Sequence, residues 1–197
     1  MQNASRSRLE LLVGVSALGF SVLYLASDII EAAQGEFSVG QLWLTLIAEL
    51  AIPFFVFGLY WIRRSEFGPI GTFSAYLYAY AYVFFTFTVA YALIDDTPDY
   101  ETLSDDLAPW MLIHGAIMLV AGIGFGYSII KSRPYPRWTG IALIAGVVLV
   151  SATQGAPVGI ELVAAAARDL AFAGMGLSLL LTQPERRAAA RSHSLKP

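Results

Sequence analysis

The sequence predicts an all-α protein, a polytopic membrane helical bundle of six transmembrane helices with both termini cytoplasmic. Three observations carry that reading. Hydrophobic residues make up 57% and charged residues 14% of the 197, against about 45–50% and about 25% in soluble domains, and the mean hydropathy is +0.63. The apolar residues fall in six long runs rather than in an amphipathic pattern. Eleven of the twelve Lys and Arg residues sit in alternate connections between those runs, which is how cytoplasmic loops are marked.

The first run, 9–30, follows Arg6 and Arg8. It reads as a retained helix rather than a cleaved signal peptide, because the apolar stretch continues to Ile30. The second, 41–62, ends on Arg63 and Arg64. The third, 70–94, leads into a connection that holds Asp95, Asp96, Asp99, Glu101, Asp105 and Asp106 without a single Lys or Arg. The fourth, 107–130, precedes Lys131, Arg133 and Arg137. The fifth, 138–153, is close to the lower limit of ~17 residues for a span and is bounded by Pro136 and Pro157. It is counted, because without it the basic tail would fall on the wrong side. The sixth, 158–181, precedes Arg186, Arg187, Arg191 and Lys196. Residues 1–184 therefore read as one transmembrane domain and 185–197 as a disordered cytoplasmic tail. The expected location is the cytoplasmic membrane of a bacterium. Cysteine is absent, which excludes thiolate catalysis, disulfides and iron–sulfur clusters.

Ionisable side chains cost ~2.5–3.5 kcal/mol each at the centre of a span on insertion scales, so those that occur mark function. Here they are Asp28, Glu31, Glu49, His114, Glu161, Arg168 and Asp169. All belong to outer halves or the midplane of their runs; Glu49 lies about 12 Å into its helix at 1.5 Å per residue. That asymmetry predicts one polar chamber open toward the outer leaflet. Arg168 and Asp169 can neutralise each other, and a lone His114 is more often a hydrogen-bonding residue than a metal ligand. Asp28 and Glu49 leave uncompensated charge, so at least one is expected as the neutral acid, a proton donor. The candidate catalytic residues are Glu49, Asp28, Asp169 and His114.

The second signal is aromatic. The third run carries Tyr76, Tyr78, Tyr80, Tyr82, Phe84, Phe85, Phe87 and Tyr91, with Tyr76, Tyr80 and Phe84 on one helical face. Aromatic faces stabilise desolvated cations. Tyr24, Phe54, Tyr76, Tyr80, Tyr82, Phe84, Tyr91, Arg168 and Phe172 are therefore the candidate substrate-binding residues. Pro53 removes the backbone bond to the carbonyl of Glu49 and makes room beside the acid. Asp95-Asp96-Thr97-Pro98-Asp99 spells DDxxD, a magnesium-binding pattern of prenyl-diphosphate enzymes. Pro98 breaks the helix that would align those carboxylates, and no basic cluster stands nearby to hold a diphosphate. It reads as a solvated acidic loop. No metal and no other cofactor is expected; the partners are the bilayer and a lipophilic small molecule, with no nucleic acid.

In size, embedded acids and aromatic content the chain resembles the small integral-membrane terpene cyclases, the bacterial drimentine-type and fungal meroterpenoid enzymes. It has six expected helices where the fungal enzymes have seven. The resemblance implies cyclisation of a lipophilic polyene or epoxide, started when Glu49 or Asp28 protonates it. Carbocations would then lie against tyrosine and phenylalanine faces, and the other carboxylate or His114 would take the final proton. The residues themselves leave a rival open, a small proton-coupled transporter of a lipophilic cation.

Overall fold

A helix inside hydrocarbon satisfies its own backbone, and each apolar run becomes one helix. The computed structural model describes residues 2–194, with side chains for 7–182 apart from residue 158. In chain order the elements are α1 (Gln2–Gln34), α2 (Val39–Ile62), α3 (Pro69–Asp95), α4 (Tyr100–Asp106), α5 (Trp110–Ser132), α6 (Arg137–Ala152) and α7 (Val158–Ser194). No strand occurs among the described residues. Five helices are long and apolar enough to cross a membrane: α1, α2, α3, α5 and the 159–182 part of α7. α6 has 16 residues, about 24 Å of helix, and falls short of a ~30 Å hydrocarbon core. The tail expected at 185–197 lies outside the residues whose side chains are described.

Local chemistry fixes the ends. Ser38 caps α2, its hydroxyl accepting from the Gln41 N–H. Pro69 opens α3, where its missing N–H has no helical partner to lose. Asp96 and Arg133 close α3 and α5 in the left-handed region, at φ 50° and 56°. α2 continues through Pro53.

The acidic connection corrects one expectation. It is not simply a solvated loop, because α4 forms within it: Asp99 accepts from the Thr102 N–H at 2.8 Å, and Leu103 is buried against Leu42, Val89 and Ala92. Pro109 then stands at the N-cap of α5, so that helix begins at Trp110 rather than at 107.

The long helices form a closed ring. α1 packs on α2, α2 on α3, α3 on α5, α5 on α6, α6 on α7, and α7 returns to α1. Short connections make chain neighbours antiparallel, and α4 lies at one end of the ring. The core is mainly apolar, yet the outer surface is apolar as well, and a set of polar residues is buried within. Ser27, Gln41, Thr45, Glu49, Arg168 and Asp169 are buried, while Phe54, Phe87, Ile94, Leu112 and Val163 lie on the outside. An apolar exterior around a core that also holds a buried polar network is the pattern of a membrane protein.

Candidate functional site

Three polar stripes create the site. On α1, Tyr24, Ser27, Asp28 and Glu31 recur at i, i+3, i+4 and i+7; on α2, Gln41, Thr45 and Glu49 recur at i, i+4 and i+8. On α7, Glu161 and Arg168 stand seven residues apart. Ring closure turns the three stripes toward one another. They enclose a cavity of about 250 Å³, completed by Tyr82 and Phe85 of α3, Tyr100 of α4 and Met111 and Met118 of α5. Glu31, Phe37, Tyr100, Gln154 and Glu161 place its mouth at the end of the bundle that carries α4.

At the mouth, the Gln41 side-chain amide donates to Glu31 at 3.0 Å and to Thr45 at 3.0 Å, and Ser27 and Thr45 share a bond of 2.6 Å. Tyr100 lines the same level. Its phenol is pushed up by desolvation and then by the carboxylates Glu161, Glu31 and Glu49. At the floor, the Tyr24 phenol donates to Glu49 at 2.7 Å, while the Arg168 guanidinium lies 4.6 Å over the Tyr24 ring. Arg168 donates to Asp169 at 2.9 Å and stands 3.7 Å from Asp28. Glu49, Tyr24, Arg168, Asp28 and Asp169 are thus one connected network. Below it, Phe55, Tyr78 and Phe172 form a buried aromatic layer, with ring centroids 5.4 and 5.6 Å apart around Phe172.

The polar balance is uneven. Asp28, Glu31, Glu49 and Glu161 line the cavity against the single guanidinium of Arg168. Three buried lining atoms have no hydrogen-bond partner: Asp28 Oδ2, Gln41 Oε1 and Glu49 Oε2. All three are oxygens of acceptor groups, and an unpaired buried polar atom is costly. The cavity therefore asks for donors. Among the described residues no group of three or more His, Asp or Glu is placed to hold a metal ion.

Of the residues singled out in the sequence, Tyr24, Asp28, Glu49, Tyr82 and Arg168 line this cavity together. The single chamber joining Asp28, Glu49, His114 and Asp169 is corrected for the last two. Asp169 is buried but turned to Arg168. His114 packs between α3 and α5, stacked on Phe84 at 3.7 Å. Its Nδ1 faces the Trp110 carbonyl at 2.9 Å, so that nitrogen donates and Nε2 accepts from the Tyr80 hydroxyl at 3.3 Å. The aromatic wall is corrected too. Tyr76 and Tyr80 point outward, half exposed, because the face they share with Phe84 is the one α3 turns away from the ring centre. Phe54 is 77% exposed on the apolar exterior, Tyr91 bonds Asp95 near the end of α3, and Phe172 belongs to the layer beneath the floor.

The sequence reading passed over Gln41, Ser27, Thr45 and Tyr100 as site residues. The first three were detectable as polar residues at helical spacing with Asp28, Glu31 and Glu49; Tyr100 carried no such signal. It also passed over Glu10, which α1 buries far from the cavity. No protein-family model, curated protein or solved structure matches the chain.

Proposed function

We propose that the cavity binds a small organic cation and exchanges it for a proton at Glu49, in a chain that crosses the membrane six times with both termini cytoplasmic. The carrying observation is the excess of carboxylates in the cavity, four against one guanidinium, with oxygens of Asp28 and Glu49 on its wall that accept no hydrogen bond. Tyr24, Tyr82 and Phe85 supply ring faces for the ligand's positive charge. In this topology the mouth opens outside, since the acidic connection lies there, and α6 crosses as the shortest span. The bacterial cytoplasmic membrane is the setting that fits this orientation. The exchange balances: the Glu49 carboxylic acid releases its proton to water at the mouth and its carboxylate receives the cation. The aromatic layer of Phe55, Tyr78 and Phe172 closes the inner end, as one gate of an alternating-access carrier must.

A second reading is favoured by that same closed end. A cavity closed at its inner end around a carboxylic acid would also suit a protonation-initiated terpene cyclase. Its small volume lies below the ~300–1,000 Å³ of drug-sized pockets, and its charged mouth is poorly suited to excluding water. These features place the cyclase second.

The test is proton release on binding. Purified protein in weakly buffered detergent should release about one proton per cation bound, and Glu49→Gln should abolish the release. That variant should bind ~10–100-fold more weakly, the value of one charge-assisted hydrogen bond. Binding without proton release would remove the exchange. Cyclised product from polyenes, lost ~10²–10⁴-fold in Glu49→Gln, would establish the cyclase instead.

A further inference from the structure

The unpartnered acceptors are not gathered at one point. Gln41 Oε1 lies at the mouth, beside Glu31 and on the same cavity as Glu161; Glu49 Oε2 lies at the floor, where Asp28 stands beside Arg168. Gln41 and Glu49 are 2% and 4% exposed, so neither oxygen is offered to bulk water. They stand on one face of α2 eight residues apart, about 12 Å along the helix axis. A single ammonium cannot reach both. Between the two levels the walls are Leu42, Phe85, Val89 and Met118 together with Thr45, a mainly apolar sleeve.

From this arrangement, and resting on the cation-binding reading above, we infer that the ligand is a linear diamine or polyamine held lengthwise. One primary ammonium is received by Glu49 and Asp28 at the floor, a second nitrogen by Gln41, Glu31 and Glu161 at the mouth, and the methylene chain fills the sleeve. Each terminal –NH₃⁺ brings three donors and no acceptor, which is the complement of a wall whose unpartnered atoms are all acceptors. A quaternary ammonium would leave the same oxygens unpaired. Arg168 reaches only Asp28 Oδ2 among them, at 3.7 Å; Asp169 and the Tyr24 ring otherwise hold its guanidinium, and Gln41 Oε1 and Glu49 Oε2 stay without a hydrogen-bond partner.

The experiment is calorimetric titration of the purified full chain in detergent with a homologous series of linear diamines, from ethylenediamine to diaminodecane. Spermidine, the monoamines of equal length and their trimethylammonium analogues complete the set. Affinity should rise with length to an optimum where the nitrogens are ~10–12 Å apart, the spacing set by the helix rise. At that length the diamine should bind about tenfold or more tighter than the monoamine, because one end of the monoamine leaves its acceptors unmet. Gln41→Leu should erase the advantage of the long diamine, so that it binds no tighter than the monoamine of equal length, while the melting temperature of the variant shows that it is folded. A long diamine that keeps its advantage in a folded Gln41→Leu protein would overturn the second contact. Monoamines and diamines binding alike at every length would overturn the two-ended ligand while leaving the cation site standing. Trimethylammonium compounds binding as well as primary amines would overturn the requirement for N–H donors. Failure of every amine to bind would overturn the cation reading itself.

Discussion

At the scale of single residues, Arg168 does the most structural work in the cavity. It is buried, it neutralises Asp169 at 2.9 Å, it faces Asp28 at 3.7 Å and it stacks on Tyr24. Removing one member of a buried ion pair leaves the other charge uncompensated, at ~3–5 kcal/mol. Arg168→Met should therefore lower the melting temperature sharply in detergent. Adding Asp169→Leu should restore most of it, because replacing both partners by apolar residues is often neutral. A double variant as unstable as the single would mean that Asp28 and Tyr24, not Asp169, are what Arg168 holds. The sequence flagged Arg168 and Asp169 as neighbours able to neutralise each other, and their contact is local enough to be read that way. The ring stacking with Tyr24 joins positions 24 and 168 and had no local signature.

Elements set where such residues stand. Gly146 of α6 packs against the backbone of α7 at Arg168: a Cβ added there would lie 2.6 Å from the Arg168 Cα and 2.8 Å from its Cβ. Gly146→Ala should push the two helices apart at the cavity floor, costing ~1–3 kcal/mol as overpacking does, and should weaken cation binding along with stability. Unchanged binding in a destabilised variant would uncouple that contact from the site. α4 offers a pH test. The Asp99 carboxylate is held below its usual range, first by the backbone N–H of Thr102, and this stabilises the ionised cap. A lowered folded value means that the cap contributes fully above the ordinary aspartate range, about 3.9, and that this contribution is lost as pH falls through the folded value. Exchange of the Thr102 amide, after correction for its intrinsic rate, should accelerate on acidification below that range. Asp99→Ala should exchange fast throughout, with no pH-dependent step of its own.

For the whole molecule, the ring from α1 to α7 is what makes a chamber out of separate stripes. The chain has no cysteine, so single introduced thiols report topology without background. In the proposed orientation, Ser65→Cys should be labelled only from the cytoplasmic side and Gln154→Cys only from the outside. Labelling of both from one side would remove α6 as a span.

The sequence by itself determined the six apolar helices and the membrane setting, though not α4, because apolar run length and the side on which Lys and Arg fall are properties of the chain read in order. It also determined which charges are out of place in hydrocarbon, Asp28, Glu49 and Arg168 among them. Only the tertiary structure decided which of those share a cavity. Rotation of each helix about its axis separates Tyr82, which faces the centre, from Tyr76 and Tyr80, which face outward. Two residues between such positions turn a side chain by some 200° on a helix of 3.6 residues per turn, and aromatic composition carries no record of that angle. Packing around the full ring fixes it, through contacts such as Gly146 against Arg168 and Ser27 against Gln41 and Thr45, and those pairings join residues that lie on different helices.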